Sequence, residues 1–276
     1  MKKSKILLIT LVIIISTLFS GCELVDNGMV KLGLKNKDFE YIKENKVSQI
    51  VIQSTRDAGF RFVVTDKNAI NNIYDIVSSG KVKESKSTLD ADYIFDIYIG
   101  EEAKSYKYVV SASDSDTGNF YDDEKAYLIS KNLDDTIINN LSFVRKPRDF
   151  EDVYYKCILD VLEAKKDDLK EDNKVGVNIA GDVDCLKYMF STDLEQFKKD
   201  IDKILPKTTL VENNSDDFDT VITVKNRGYS SKIFKTTITV DDKKNKIYET
   251  YYVSALYESK GWNIDIGKVN TKPENW

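Results

Sequence analysis

Histidine is absent from all 276 residues. This excludes Ser-His-Asp and Cys-His triads and zinc sites built on imidazole, which need a ring nitrogen that is basic near neutral pH. Cysteine is scarce, with Cys22, Cys157 and Cys185 as its three occurrences. There is no excess of positive charge: 41 Lys and Arg face 46 Asp and Glu, for a formal net charge of −5. That balance argues against a nucleic-acid partner or an anionic-surface footprint. No long apolar run is present either. The longest uncharged greasy stretch, residues 6–19, falls short of the ~20 residues a helix needs to cross a bilayer core. At 32% charged and 41% hydrophobic residues the composition is that of a globular chain.

What stands at the N-terminus has a definite reading. Lys2, Lys3 and Lys5 precede the apolar run, and Ser20, Gly21 and Cys22 follow it. A basic start, a short apolar core and small residues before a cut describe a secretory signal peptide. The string "TLFSGC" resembles the lipobox of bacterial lipoproteins, with Phe19 where that family most often has Leu. The resemblance implies a signal peptide over residues 1–21 and lipidation of Cys22 by diacylglycerol and palmitate-type acyl chains. It places the mature protein on the extracytoplasmic face of the cell membrane, held there by lipid. Removal of residues 1–21 takes away three Lys and no acid, and moves the formal charge from −5 to −8. Residues 22–46 read as the lipidated cysteine and a polar tether. The two remaining cysteines are too few for a Cys-only zinc site. Cys157, in "YYKCILDVL", is expected to be a buried free thiol on a helix face, although outside the membrane a disulfide with Cys185 stays open.

The body divides at "VRKPRDFED", where Pro147 stops one element and Asp149 is placed to cap the next. The expected fold class is α+β, in two small domains over residues 47–146 and 147–276. Each would be a mostly antiparallel sheet with helices on one face. In the first, "VSQIVIQS" and "GFRFVVTD" alternate apolar and polar residues and predict a hairpin. A helix then starts near Asp66, with Ala69, Ile70, Ile73, Ile76 and Val77 at helical spacing and Gly80 at its end. "DYIFDIYIG" and "SYKYVVSA" predict two further strands. "AYLIS" is a short one, followed by a helix from Ser130 with Leu133, Ile137, Ile138 and Leu141 inward. This order, with "FVVTD" leading into a helix, resembles the YhfM-like domain of lipoproteins from spore-forming Gram-positive bacteria over about residues 46–145. The resemblance implies location and no particular activity.

The second domain opens with a helix from Asp149 to about Leu169, with Phe150, Val153, Tyr154, Cys157, Ile158, Val161 and Leu162 inward. "VGVNIAG" is a strand-like run of unassigned place. Thr192 and Glu195 have capping-box spacing ahead of Leu194, Phe197, Ile201 and Leu205. Four strands finish the chain: "FDTVITVKN", "IFKTTITVD", "KIYETYYVSALYE" and "WNIDIGKV". Helices first, then a meander ending in Gly261, Trp262 and Ile264, resemble the NTF2-like fold over about residues 149–270. That resemblance implies a cone-shaped pocket, a feature that serves enzymes, ligand binders and dimers alike.

Candidate sites follow from these placements. Asp182 and Asp184, in "GDVD", are spaced to share a proton and do acid–base work, or one of them caps "CLKYMF". Glu249 interrupts an inner apolar face and would point into an NTF2-like pocket. Tyr248 and Tyr252 fall on the outer face of the same strand, where aromatics stack on sugars or anchor a protein. The acidic loop "SDSDTGNFYDDE" (Asp114, Asp116, Asp122, Asp123, Glu124) has too irregular a pattern for an EF-hand and is expected to be a solvated turn, like the cluster "NNSDDFD". Arg227 reads as a turn residue. No metal and no cofactor is expected. The leading functional reading is a membrane-anchored binding or accessory protein without catalysis, for a partner protein, a wall component or a small ligand. A carboxylate-dependent enzyme in the second domain's pocket is the alternative. An importer's solute-binding lipoprotein ranks below both, because antiparallel runs replace the repeated βαβ units such proteins show.

Overall fold

The computed structural model describes residues 30, 35–110, 116–136, 146–169, 173–274 and 276. The signal-peptide and Cys22 readings lie outside these residues. Among the described residues, no helix is long and apolar enough to cross a membrane.

Alternation builds the first sheet. β1 (Val47–Ser54) and β2 (Arg61–Val64) form the predicted hairpin, and β5 (Tyr93–Ile99) pairs with both β1 and β6 (Glu102–Tyr108). Short strands β8 (Phe120–Tyr121), β9 (Ala126–Leu128) and β3 (Lys81–Lys83) complete the order β2-β1-β5-β6-β8-β9-β3, with every pair antiparallel. β4 (Ser85–Lys86) and β7 (Thr117–Gly118) make a separate parallel ribbon. Helix α1 (Lys67–Ser78) starts where Asp66 accepts a hydrogen bond from the Ala69 N–H at 2.9 Å, and buries Ile70, Ile73, Tyr74 and Val77. The predicted helix after Ser130 appears as the short α2 (Asn132–Asp135), with Leu133 buried. Its continuation through Ile137, Ile138 and Leu141 lies outside the described residues.

The fold starts earlier than the sequence suggests. Residues up to 46 read as tether, yet Phe39 and Ile42 are buried in the first core. The Phe39 ring lies 4.8 Å from Tyr127 and 5.5 Å from Tyr106. Asp38 accepts from Lys125 Nζ (2.6 Å) and the Tyr127 hydroxyl (2.9 Å), and the Asn36 N–H donates to Ser78 O at 2.8 Å. Two apolar residues three apart are a weak signal in a polar stretch, and the rings that pack on Phe39, those of Tyr106, Phe120 and Tyr127, come from far along the chain.

In the second unit, α3 (Phe150–Lys165) buries all seven predicted inward residues. β10 (Val175–Asn178) is the run left unassigned by the sequence. It lies between β11 (Thr209–Leu210) and β12 (Thr220–Tyr229) and is parallel to both. The meander continues antiparallel through β13 (Ile233–Asp242), β14 (Ile247–Glu258) and β15 (Gly261–Ile266), for the order β11-β10-β12-β13-β14-β15. The sheet is therefore mixed at one end. α3 and α4 (Ser191–Ile204) cover its inner face, where Phe234, Ile238, Val240 and Val253 are buried. Cys157 and Cys185 are both buried and free, as expected of the helix-face thiol.

Three predicted caps form differently. Asp149 takes the left-handed conformation (φ 43°) and makes no side-chain cap. Neither the Thr192 nor the Glu195 side chain closes a capping box: Thr192 Oγ1 donates to Val110 O at 3.4 Å instead. The turn after Cys185 has no side-chain cap from Asp182. For α4 the cap comes from the other unit, since the Ser191 N–H donates to Asp92 Oδ1 at 2.8 Å.

That bond belongs to the contact that joins the units. Asp92 is buried and also takes Arg56 Nη1 at 2.5 Å and the Val110 N–H at 2.8 Å. Arg56 Nη2 donates to Ser191 Oγ at 2.6 Å, which donates in turn to Asp90 O at 2.6 Å. Next to it, Phe190 leaves its own unit and packs in the first core, 6.3 Å from Tyr93.

Candidate functional site

A cleft of about 620 Å³ opens in the second unit between α3, α4 and the turn into β15. Its walls are apolar: Tyr155, Leu159, Phe197 and Trp262. The Tyr155 and Phe197 rings lie 4.7 Å apart, and Trp262 is fixed by donating its indole N–H to Arg148 O at 2.9 Å. Its rim is acidic, with Asp149, Glu151, Asp152, Asp160, Asp193 and Asp200 against Lys156 and Lys260. Lys156 is engaged by Asp160 at 2.7 Å, and Asp200 by Lys203 and Gln196. Glu151, Asp152 and Asp193 form no ion pair among the described residues.

Burial, then the Glu151 and Asp92 carboxylates, pushes Asp193 up from 3.8 to about 6, against the pull of Lys146 and Arg56. Burial, then Glu151 and Asp149, also raises Asp152. Tyr155 is 6% exposed and its hydroxyl is buried without a hydrogen-bond partner among the described residues. That phenol is raised by burial first and then by Asp193, against the pull of Arg56, with Asp92 and Glu151 adding to the rise. A buried hydroxyl with no partner costs free energy unless something meets it.

The residues singled out in the sequence are not part of this cleft. Asp182 is buried, and its carboxylate accepts from the Asn226 N–H at 2.9 Å and the Tyr154 hydroxyl at 3.1 Å. Burial raises its pKa, against those hydrogen bonds. It ties the loop after β10 to the bulge in β12. Asp184 is exposed, so the two carboxylates do not share a proton. Glu249 accepts from Lys165 Nζ at 2.9 Å and the Tyr251 hydroxyl at 3.0 Å. Tyr154 and Lys165 are eleven residues apart on one helix, about 16 Å along its axis, so Asp182 and Glu249 sit near opposite ends of α3. Tyr248 is 65% exposed. Tyr252 is half-buried on the outer sheet face, its ring 4.9 Å from Trp276.

In the acidic loop, Asp114 lies outside the described residues. Asp122 Oδ1 accepts from the N–H groups of Glu124 (2.9 Å) and Lys125 (2.7 Å), which makes it the turn residue of β8–β9. In the second acidic stretch Asp219 Oδ2 accepts from the Lys174 N–H at 2.9 Å, and Asn214 Oδ1 from the Glu212 N–H at 3.2 Å. Among the described residues no group of three His, Cys, Asp or Glu is placed to hold a metal ion.

The cleft residues were missed because they are separated in sequence. Glu151, Tyr155, Asp193, Phe197 and Trp262 come from two helices and a hairpin turn. The one available signal was Asp193 and Glu151, each in the first turn of a predicted helix, where acids are ordinary.

The family model of the YhfM protein matches residues 43–147. The first unit is thus similar to that family over nearly all of its sheet, in agreement with the resemblance read from strand order. No curated protein and no solved structure matches the chain.

Proposed function

We propose that this is a membrane-anchored extracytoplasmic lipoprotein that binds and does not catalyse, with Cys22 as its lipidated residue. We read its second unit as NTF2-like, with the ligand site in the α3–α4–β15 cleft. The observation that carries the binding reading is the cleft's makeup: unpaired carboxylates at the rim, aromatic walls, and the buried Tyr155 hydroxyl without a partner. Such a lining suits a positively charged ligand with an apolar body, through Coulomb attraction and contact of the cation with ring faces. The dispersal of Asp182, Asp184 and Glu249 weighs against an acid–base pair acting on a substrate. The NTF2-like reading is supported by a leading helix and by an antiparallel meander whose last strand carries Gly261, Trp262 and Ile264.

Two measurements test this. The full chain in detergent should be stabilised by spermidine, with the effect reduced at high salt and lost in Glu151→Gln/Asp193→Asn; an equal shift in that variant rejects the cleft. In cells, a palmitate analogue should label the protein and leave Cys22→Ser unlabelled. Labelling of both, or of neither, rejects the anchor.

A further inference from the structure

The outer face of the second sheet carries a pocket of opposite charge. It measures about 480 Å³ and is lined by Arg227, Lys235, Tyr252, Lys272 and Trp276. Sheet register explains the convergence. Thr237 on β13 faces Lys225 on β12 and Tyr252 on β14, and Lys235 lies two residues away on the same face. The β-bulge between Asn226 and Gly228 turns Arg227 toward this row. The segment after β15 then folds back. The Gly267 N–H donates to Tyr252 O at 2.9 Å and the Asn270 N–H to Thr250 O at 2.9 Å, and this return brings Lys272 and Trp276 over the sheet.

Three features of the lining point the same way. The first is charge: it holds three cationic side chains, and no Asp or Glu among the described residues lines it. The second is the orientation of Arg227. Its Nε donates to Thr237 Oγ1 at 3.0 Å, which fixes the guanidinium while its two terminal nitrogens have no partner among the described residues. The third is Trp276, whose indole N–H is buried with no hydrogen-bond partner among the described residues. A buried donor left unmet asks for an acceptor. Two aromatic rings at a near-perpendicular 88° form a corner that packs against carbon.

We propose that this pocket binds a phosphate-bearing ligand on a sugar or polyol backbone. Arg227 and Lys272 would meet the phosphate with Lys235 adding positive charge beside them, the Trp276 indole N–H would donate to an oxygen of the ligand, and the Tyr252 and Trp276 rings would pack on the carbon chain. A planar guanidinium fork pairs two phosphate oxygens at once, and the remaining oxygens take further cations. The site lies on the opposite face of the sheet from the acidic cleft and does not depend on lipidation of Cys22.

The test is calorimetric titration of the full chain in nonionic detergent. The probes are inorganic phosphate, a glycerol-phosphate polymer, glycerophosphoglycerol as the soluble headgroup of an anionic lipid, and succinate as a carboxylate control. The expected result is binding of at least one phosphate probe that weakens with salt and exceeds succinate. The tightest probe identifies the source as free anion, polymer or lipid headgroup. Arg227→Gln and Lys272→Gln should each weaken it about tenfold, the effect of losing one charged hydrogen bond. Both positions are exposed, so their melting temperatures should stay at the wild-type value. Tyr252→Leu should weaken polymer binding more than binding of free phosphate. No binding of any phosphate probe, preference for succinate, or unchanged affinity in both charge variants overturns the proposal.

Discussion

Single side chains here are governed by who meets a buried charge. Asp193 is a carboxylate held up to about 6 by burial and by Glu151. Its folded-state pKa lies above the unfolded value of 3.8, so between the two the folded chain binds the extra proton. Stability from this group therefore grows as pH falls through about 6 and is lost as pH rises again. Asp193→Asn should raise the melting temperature at neutral pH and flatten the slope of stability against pH over that window. Thermal melts at several pH values decide it, and a variant with an unchanged slope counts against the assignment. Cys157 makes a related case: burial, then Asp160, pushes its thiol up to about 12, and Cys185 is raised for the same first reason. A thiol reagent should label neither cysteine in the folded protein and both in urea. Fast labelling without denaturant would contradict the buried, free state.

Elements were legible where their signal was local. The alternation in β5, the Asp66 cap of α1 and the apolar stripe of α3 all depend on residues within one or two turns of each other. What escaped needed a partner from elsewhere. β10 is a four-residue strand whose place is set by two parallel neighbours, 33 residues downstream in the register Gly176–Thr209 and 45 in the register Val175–Thr220. Asp182 looked like a local cap and serves as a crosslink to β12. The missing capping box of α4 has the same cause: the helix already starts at Ser191, which puts Thr192 inside it, and Thr192 Oγ1 donates to Val110 O in the other unit. The parallel placement of β10 also explains Gly176. A Cβ there would lie 2.6 Å from Val211 Cγ2 and 2.7 Å from Phe218 Cδ1. Gly176→Ala should cost about 1–3 kcal/mol, the usual range for overpacking a dense site. Urea unfolding measures it, and a neutral result would mean that Val211 and Phe218 give way.

At the scale of the whole molecule, the two sheets have separate cores, joined among the described residues by the polar cluster around Asp92, the Thr192–Val110 hydrogen bond and the Phe190 ring. Asp92 is the centre of the polar part, with Arg56, Val110 and Ser191 all donating to it. Asp92→Ala leaves a largely buried Arg56 unpaired and uncaps α4. The expected loss is about 3–5 kcal/mol, as for other broken buried pairs. Protease cleavage near Pro147 should accelerate in the same variant, and unchanged cleavage would show that the units hold together without this contact. Phe190 has a different consequence, one of timing. A chain is made from its N-terminus and its domains fold as they emerge. The first unit's core, however, includes a side chain that arrives 40 and more residues after Pro147. The boundary at which the family match stops is therefore not the point at which that core is complete. Until residue 190 is available, the surface around Tyr93 is exposed, so a fragment cut at the family boundary should be stickier than its own sheet would suggest.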